Sequence, residues 1–274
     1  MRNIKVGGEA REEAVRATRA VETLDEVDVG DHVCQLLDVT DDLMVRSRAF
    51  VADGALFGDK VLIVSPSAQV TTDAVALVLD PTRLEESLLA VVRREAASAE
   101  SEGYRTLRVL NHVTGEAAGG DEERLLRSEL ELEEFAADSG ASVVCAYQRG
   151  HWDAALLDKL RCVHPHHLGS RPKSPSFQLY RAGKGGWTVK GIVDTDGAVA
   201  FGAILLTLLR QTTTVRLRCQ SLDFFDAAGM STLADAARAL PDRKIVLEGT
   251  NETVRLAWKL SGFADPSIPV VMTP

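Results

Sequence analysis

The chain has 274 residues, a formal net charge of −9, and a composition that is 45% hydrophobic and 26% charged. That length suits two compact domains, each able to bury a core. The acidic balance argues against a dominant nucleic-acid contact, which needs a basic face. The pairs Arg93, Arg94 and Arg124, Arg127 therefore read as solvated helix faces.

Residues 1–29 form a lead segment in which Ala14, Ala17, Val21 and Leu24 recur at helical spacing, predicting an amphipathic helix over 9–24. After the turn residues Asp28 to Asp31, HVCQLLD reads as a strand, followed by a helix from about Asp41 to Phe57 and the apolar strand KVLIVS at 60–65. The alternation of strand and helix predicts a parallel sheet covered by helices. A short helix at 71–79, a longer one from Pro81 to about Ala97, a strand at 104–110 and a loop at 115–120 come next. A charged helix over 122–137, the strand ASVVCAY at 141–147 and a helix over 152–162 complete the region.

Four cysteines, Cys34, Cys145, Cys162 and Cys219, lie far apart without CxxC spacing, as expected of buried, reduced thiols. No apolar run approaches the ~18 residues of a spanning helix, and the charged start lacks the apolar centre of a signal peptide. A cytoplasmic protein with no membrane contact is the expectation.

DHVCQLLD at 31–38, the helix through Phe50 to Gly58 followed by DKVLIV, LRSELELEEF at 126–135 and SVVCAYQRGHWDAALLDKLRCVHP at 142–165 together resemble the MEDS family, the sensory domain of regulators from methylotrophs and methanogens. The resemblance spans roughly 31–180 and implies an α/β core of RecA or KaiC type that has lost its nucleotide site. The residues agree independently. A phosphate-cradling loop needs GxxxxGK[ST], and DVTDDLMVRSR at that position has no glycine and two adjacent acids.

Residues 168–186 are rich in breaks and read as a linker, with a short ordered passage at 177–180. A second unit over 187–274 alternates strand and helix: WTVKGIVD, a helix over 197–210, VRLRCQ, a helix after Asp226, KIVLEG, a helix capped by Asn251 and ended at Gly262, and IPVVMT. Asp226 stands at a helix N-cap, where its oxygens can accept from unpaired amides and its charge suits the helix dipole. LDFFDAAGMSTL in this setting resembles the STAS family, the anti-sigma-factor antagonist module. The resemblance implies that Asp226, Ala227, Ala228, Gly229 and Met230 dock a protein partner, either an anti-sigma factor or switch kinase or another STAS protein. One of the two small residues in that family is commonly a phosphorylated Ser or Thr, but here both are alanine. Ser231 and Thr232 follow within the helix, where a hydroxyl is more often solvated or bonded back to the backbone.

His32, Cys34, Cys145, Tyr147 and His164 fall at the ends of predicted strands and of a helix, where ligand clefts form in α/β sheets. They could line a pocket for a small effector or hold a soft metal through thiolate and imidazole. The plainer reading makes the cysteines small core residues and the histidines caps of backbone groups, and no metal or other cofactor is assigned. His164, His166 and His167 read as solvated loop histidines, and Glu129, Glu131, Glu133 and Glu134 as the solvated face of one helix. There is no GxSxG, no HExxH and no dinucleotide fingerprint, so no enzyme activity is expected. The expectation is a regulator whose sensory domain controls a partner-binding domain. The alternative is a scaffold that associates with itself, as a homodimer for example, or with other STAS proteins.

Overall fold

The computed structural model describes residues 18–66, 76–115, 121–168, 174–183 and 185–274. The fold is α/β, built on two sheets. The first holds β1 (Arg19–Val21), β2 (His32–Leu37), β3 (Lys60–Val64), β4 (Leu77–Leu79), β5 (Leu107–Val113), β6 (Ser142–Gln148) and β7 (His166–Leu168), in the order β1-β7-β2-β6-β5-β3-β4. Every pairing in it is parallel. Its central strands are mostly apolar because both faces are covered, with His32, Gln35, Arg108 and Asn111 as buried polar exceptions. Side-chain alternation sends Val33, Val61, Ile63, Leu110 and Val144 to one face, against α1 (Leu43–Phe57). Cys34, Leu62, Val109, Val143, Cys145 and Tyr147 go to the other face, packed with α2 (Leu88–Ser101), α3 (Glu122–Ser139) and α4 (Ala154–Cys162).

The helix ends follow local chemistry. Asp42, Ser87, Asp121 and Asp153 each cap a helix with a side-chain oxygen, and Gly58 and Gly140 close α1 and α3 in the left-handed region. Gly54 has a different job. A Cβ there would come 2.2 Å from Val61 Cγ2, so its absence sets how closely α1 lies on β3.

The second sheet has the order β12-β11-β10-β9-β8, made by β8 (Phe177–Arg181), β9 (Trp187–Val193), β10 (Thr214–Phe225), β11 (Lys244–Glu248) and β12 (Val270–Met272). β8 runs antiparallel to β9, and the remaining neighbours are parallel. Its helices are α5 (Thr195–Gln211), α6 (Ala227–Ala239) and α7 (Glu252–Leu260). α5 is apolar nearly all round because it is covered on several sides: by its own sheet, by α6, and by α3 and α4 of the first sheet. The hydrophobic cores of the two units are therefore continuous.

Several expectations change. Most of the helix expected over 9–24 lies outside the described residues, and its end, Arg19–Val21, is an edge strand with Val21 in the core. Leu77–Leu79 is a strand beside β3 rather than the end of a helix, and residues 67–75 lie outside the described part. Pro81 opens a single 3-10 turn, and the helix starts only at Leu88, after the Ser87 cap. The loop expected over 115–120 lies almost wholly outside the described residues. The passage at 177–180 is not a linker feature but the edge strand of the second sheet, so that sheet begins at Phe177 rather than at Trp187. Among the described residues, no helix is long and apolar enough to cross a membrane.

Candidate functional site

The five residues expected to line a pocket meet in the first unit. Parallel pairing of β2 with β6 sets Cys34 beside Cys145 and Leu36 beside Tyr147, with His32 one step away on the same face. α4 delivers His164 just past its end. The rings of His32 and His164 lie 4.0 Å apart, and Tyr147 meets His164 edge-on at 6.1 Å. His32, Cys34, Cys145, Tyr147 and His164 are all 2% exposed or less, so they form a sealed polar nucleus rather than an open cleft.

Two residues read from sequence as solvated complete this nucleus. Glu129 and Glu133 are buried, correcting the solvated reading for both. Glu129 Oε2 lies 3.3 Å from His32 Nε2 and 3.4 Å from His164 Nε2, and Glu133 Oε2 lies 3.3 Å from His32 Nδ1. Cys145 Sγ is 3.5 Å from His32 Nε2 and 3.7 Å from the Asn111 amide nitrogen. The signal for these acids was present in the helical spacing: Leu125, Glu129, Leu132, Glu133 and Ala136 form one stripe facing the sheet.

The histidines after α4 also correct the solvated-loop reading. His164, His166 and His167 are buried. His164 Nδ1 meets the Leu160 carbonyl at 2.7 Å and His167 Nε2 the Arg161 carbonyl at 3.0 Å, while His166 and His167 open β7. His166 Nε2 also lies 3.0 Å from Asp31 Oδ1.

Burial and neighbouring charge set the protonation states. Burial alone would lower the His32 pKa, but Glu129 and Glu133 outweigh it and hold the imidazole above its ordinary value. Burial would raise the Glu129 carboxyl, yet His164 and His32 bring it well below the usual range. His164 is lowered by burial and by the charge on His32. Burial pushes the Cys34 thiol up to about 12 and, with Glu129, raises Cys145 well above the usual thiol value. A neutral thiol is a poor nucleophile, so neither cysteine is set up for covalent chemistry.

Beside the nucleus, at the carboxyl end of β5, is an open cavity of about 360 Å³ lined by Leu84, Leu88, Asn111, His112, Arg127 and Glu129, among others. Asn111 and Glu129 belong to both the cavity wall and the nucleus.

The loop expected to have lost its nucleotide site occupies itself. Asp41 accepts from the Asp38 amide in the turn after β2 at 2.8 Å, and Asp42 takes up the Val45 amide at the helix start at 3.0 Å, placing two carboxylates where a phosphate would have to sit. Millimolar Mg-ATP is expected to leave the melting temperature unchanged. Binding at 100 times Kd would add about 2.7 kcal/mol, so a thermal scan reads the difference directly.

In the second unit, Asp226 caps α6 through a 2.9 Å bond from the Gly229 amide, and its own amide donates to the Val193 carbonyl. Ala227 is exposed and Ala228 half-buried, whereas Gly229 and Met230 are packed inside. A Cβ on Gly229 would sit 2.6 Å from the Phe225 ring and 2.8 Å from the Val193 carbonyl, so the turn closes only over glycine. Ser231 and Thr232 are half-buried, with the Thr232 methyl packed against Gly202 of α5.

The two units are joined at the nucleus itself. Glu133 Oε1 accepts from the Arg181 amide of β8 at 2.8 Å while Oε2 faces His32. Gln178 of β8 donates to the carbonyls of His164 at 2.9 Å and Pro165 at 3.0 Å. At the rim, Arg181 pairs with Glu134 and Arg210 with Glu123. From β8, edge-on aromatic contacts run from Phe177 to Phe201 at 5.6 Å and from Phe201 to Phe225 at 5.9 Å, ending beside Asp226.

No curated protein matches the chain. A solved structure of "the Anti-Sigma Factor Antagonist SpoIIAA in its Unphosphorylated Form" is similar at 21% identity, covering 36% of this chain and 87% of its own, with a TM-score of 0.28. Residues 31–165 match the family model described as MEDS, MEthanogen/methylotroph, DcmR Sensory domain. The matched stretch holds every residue of the buried nucleus, from His32 to His164.

Proposed function

We propose that this chain is a non-enzymatic signalling regulator in which the first unit senses a small molecule and the second presents the Asp226 turn to a protein partner, an anti-sigma factor or switch kinase. The observation that carries the reading is the double use of Glu133: one oxygen faces the buried nucleus, and the other holds β8 of the second sheet. An effector in the cavity beside Asn111 and Glu129 would shift the nucleus, and Glu133 and Gln178 would pass that shift to β8. The Phe177, Phe201 and Phe225 contacts then lead to the turn. Linkage requires that the effector favour one arrangement of this chain of contacts over another. Ala227 and Ala228 carry no hydroxyl, so control would come from the sensor rather than from phosphorylation at the turn.

The test is affinity purification of wild type beside Asp226→Lys, with bound proteins identified by mass spectrometry. A kinase-like or sigma-regulating partner recovered with wild type and lost with the variant is the expected result. Recovery of no such partner by wild type, or equal recovery by both, would sink the reading.

A second reading is favoured by one surface feature. Ile192 and Phe224 are adjacent across β9 and β10 and are 40% and 55% exposed. A scaffold that associates with itself or with other STAS proteins would cover them. Light scattering that finds a concentration-independent monomer removes self-association.

A further inference from the structure

We propose that His32, Glu129, Cys145 and His164 form a binding site for one divalent transition-metal ion of intermediate softness, of the zinc class. The inference rests on the buried donor set alone and does not depend on the regulatory reading. One ligand atom from each of the four residues lies within 4.8 Å of every other, and all four residues are buried. Tetrahedral zinc binds nitrogen and oxygen at about 2.0–2.2 Å and sulfur at about 2.3 Å, which separates neighbouring ligand atoms by about 3.3–3.8 Å. The observed separations of Glu129 Oε2 from His32 Nε2, of Glu129 Oε2 from His164 Nε2, and of Cys145 Sγ from His32 Nε2 are 3.3, 3.4 and 3.5 Å. Three edges of the required tetrahedron are therefore already formed.

The outer contacts point the same way. Metal-bound histidines hold their second ring nitrogen against a carboxylate or backbone carbonyl, which fixes the tautomer and aims the free lone pair at the metal. Here His32 directs Nε2 inward and faces Glu133 Oε2 with Nδ1 at 3.3 Å, a carboxylate neighbour at contact distance but without hydrogen-bond angles. His164 directs Nε2 inward and meets the Leu160 carbonyl with Nδ1 at 2.7 Å. The Asn111 amide lies 3.7 Å from the Cys145 sulfur. The inward atoms Glu129 Oε2 and His164 Nε2 approach each other without hydrogen-bond angles, so two buried polar atoms converge on a point with no well-directed protein partner. Buried polar groups in that state are costly, and a cation at the point would satisfy them together. The mixed nitrogen, sulfur and oxygen donors exclude Mg2+ and Ca2+, which take oxygen ligands. On binding, the Cys145 thiol proton and the proton that Glu129 and Glu133 favour on His32 leave to solvent, so that a thiolate and a neutral imidazole coordinate the ion.

The test uses the full chain and Co2+ as a spectroscopic stand-in for zinc. Wild type unfolded with a chelator, freed of metal and refolded with Co2+ is expected to retain about one cobalt per chain through gel filtration. It should also show tetrahedral cobalt bands and a sulfur-to-cobalt charge-transfer absorption. Cys145→Ser, a near-isosteric change, should abolish the charge-transfer band, and Glu133→Gln should weaken retention by about 10- to 100-fold. Wild type that regains its native circular dichroism yet retains no cobalt would overturn the proposal, as would Cys145→Ser with an unchanged cobalt spectrum. If Cys145→Ser does not fold, the wild-type stoichiometry and spectrum decide alone.

Discussion

Asp59→Asn is expected to destabilise the protein by about 3–5 kcal/mol at neutral pH, the cost of removing one partner from a buried charge cluster. Asp59 follows the left-handed Gly58, and its side chain is completely buried. Its Oδ1 and Oδ2 accept from Arg105 Nε and Nη2 at 2.7 and 2.8 Å, and Arg108 Nε reaches Oδ2 at 2.6 Å. Arg105 is half exposed and can turn to water when the carboxylate is lost. Arg108 cannot, because it is 6% exposed and lies over the rings of Phe50 and Phe57. The asparagine variant therefore leaves a buried guanidinium without its counter-charge. Double substitution with Arg108→Met should recover part of the loss, since two well-packed apolar groups can replace an ion pair.

The same cluster makes stability depend on pH with a definite sign. Burial would raise the Asp59 pKa, but hydrogen bonds and charge from Arg105 and Arg108 outweigh it and lower the folded value. A depressed carboxylate contributes stability above its unfolded pKa of about 3.9 and loses it as pH falls through the folded value. Urea denaturation of both proteins between neutral and acid pH should show the widest gap near neutrality and a narrowing gap below about pH 4. A gap that widens on acidification would contradict the assignment.

Phe201→Ala is expected to cost about 3–5 kcal/mol, the range for deleting a buried aromatic side chain. Phe201 lies on α5, is 2% exposed and meets Phe177 and Phe225 edge-on. α5 is covered by both units, so the cavity would open where they share a core. Denaturant unfolding measures the cost. Amide exchange then tells a local cavity from a broken connection: residues 226–230 should exchange faster in Phe201→Leu, which keeps much of the volume but loses the ring contacts. Unchanged exchange at the turn would mean that these contacts hold the core without reaching Asp226.

The sequence by itself determined the α/β alternation, the parallel first sheet and the helix caps at Asp226 and Asn251. These follow from local spacing: a strand buried on both faces is apolar along most of its length, and a helix start needs an acceptor wherever it lies. Short edge strands were a different matter. Arg19–Val21, Leu77–Leu79 and Phe177–Arg181 are 3 to 5 residues long, and no local pattern separates such pieces from a helix turn or a linker. Pairing with neighbours decided them. The buried nucleus was legible in part: His32, Cys34, Cys145, Tyr147 and His164 were grouped from sequence, but tertiary structure decided that they are sealed from solvent and that Glu129 and Glu133 join them. Glu129 and Glu133 sit in an apolar helical stripe, but a glutamate there can equally point to water until something polar packs opposite. That partner is His32, about a hundred residues earlier in the chain, and the bond between Cys145 and His32 spans 113 positions. Burial of a charge depends on what meets it in space, and only the sheet's register brings those groups together.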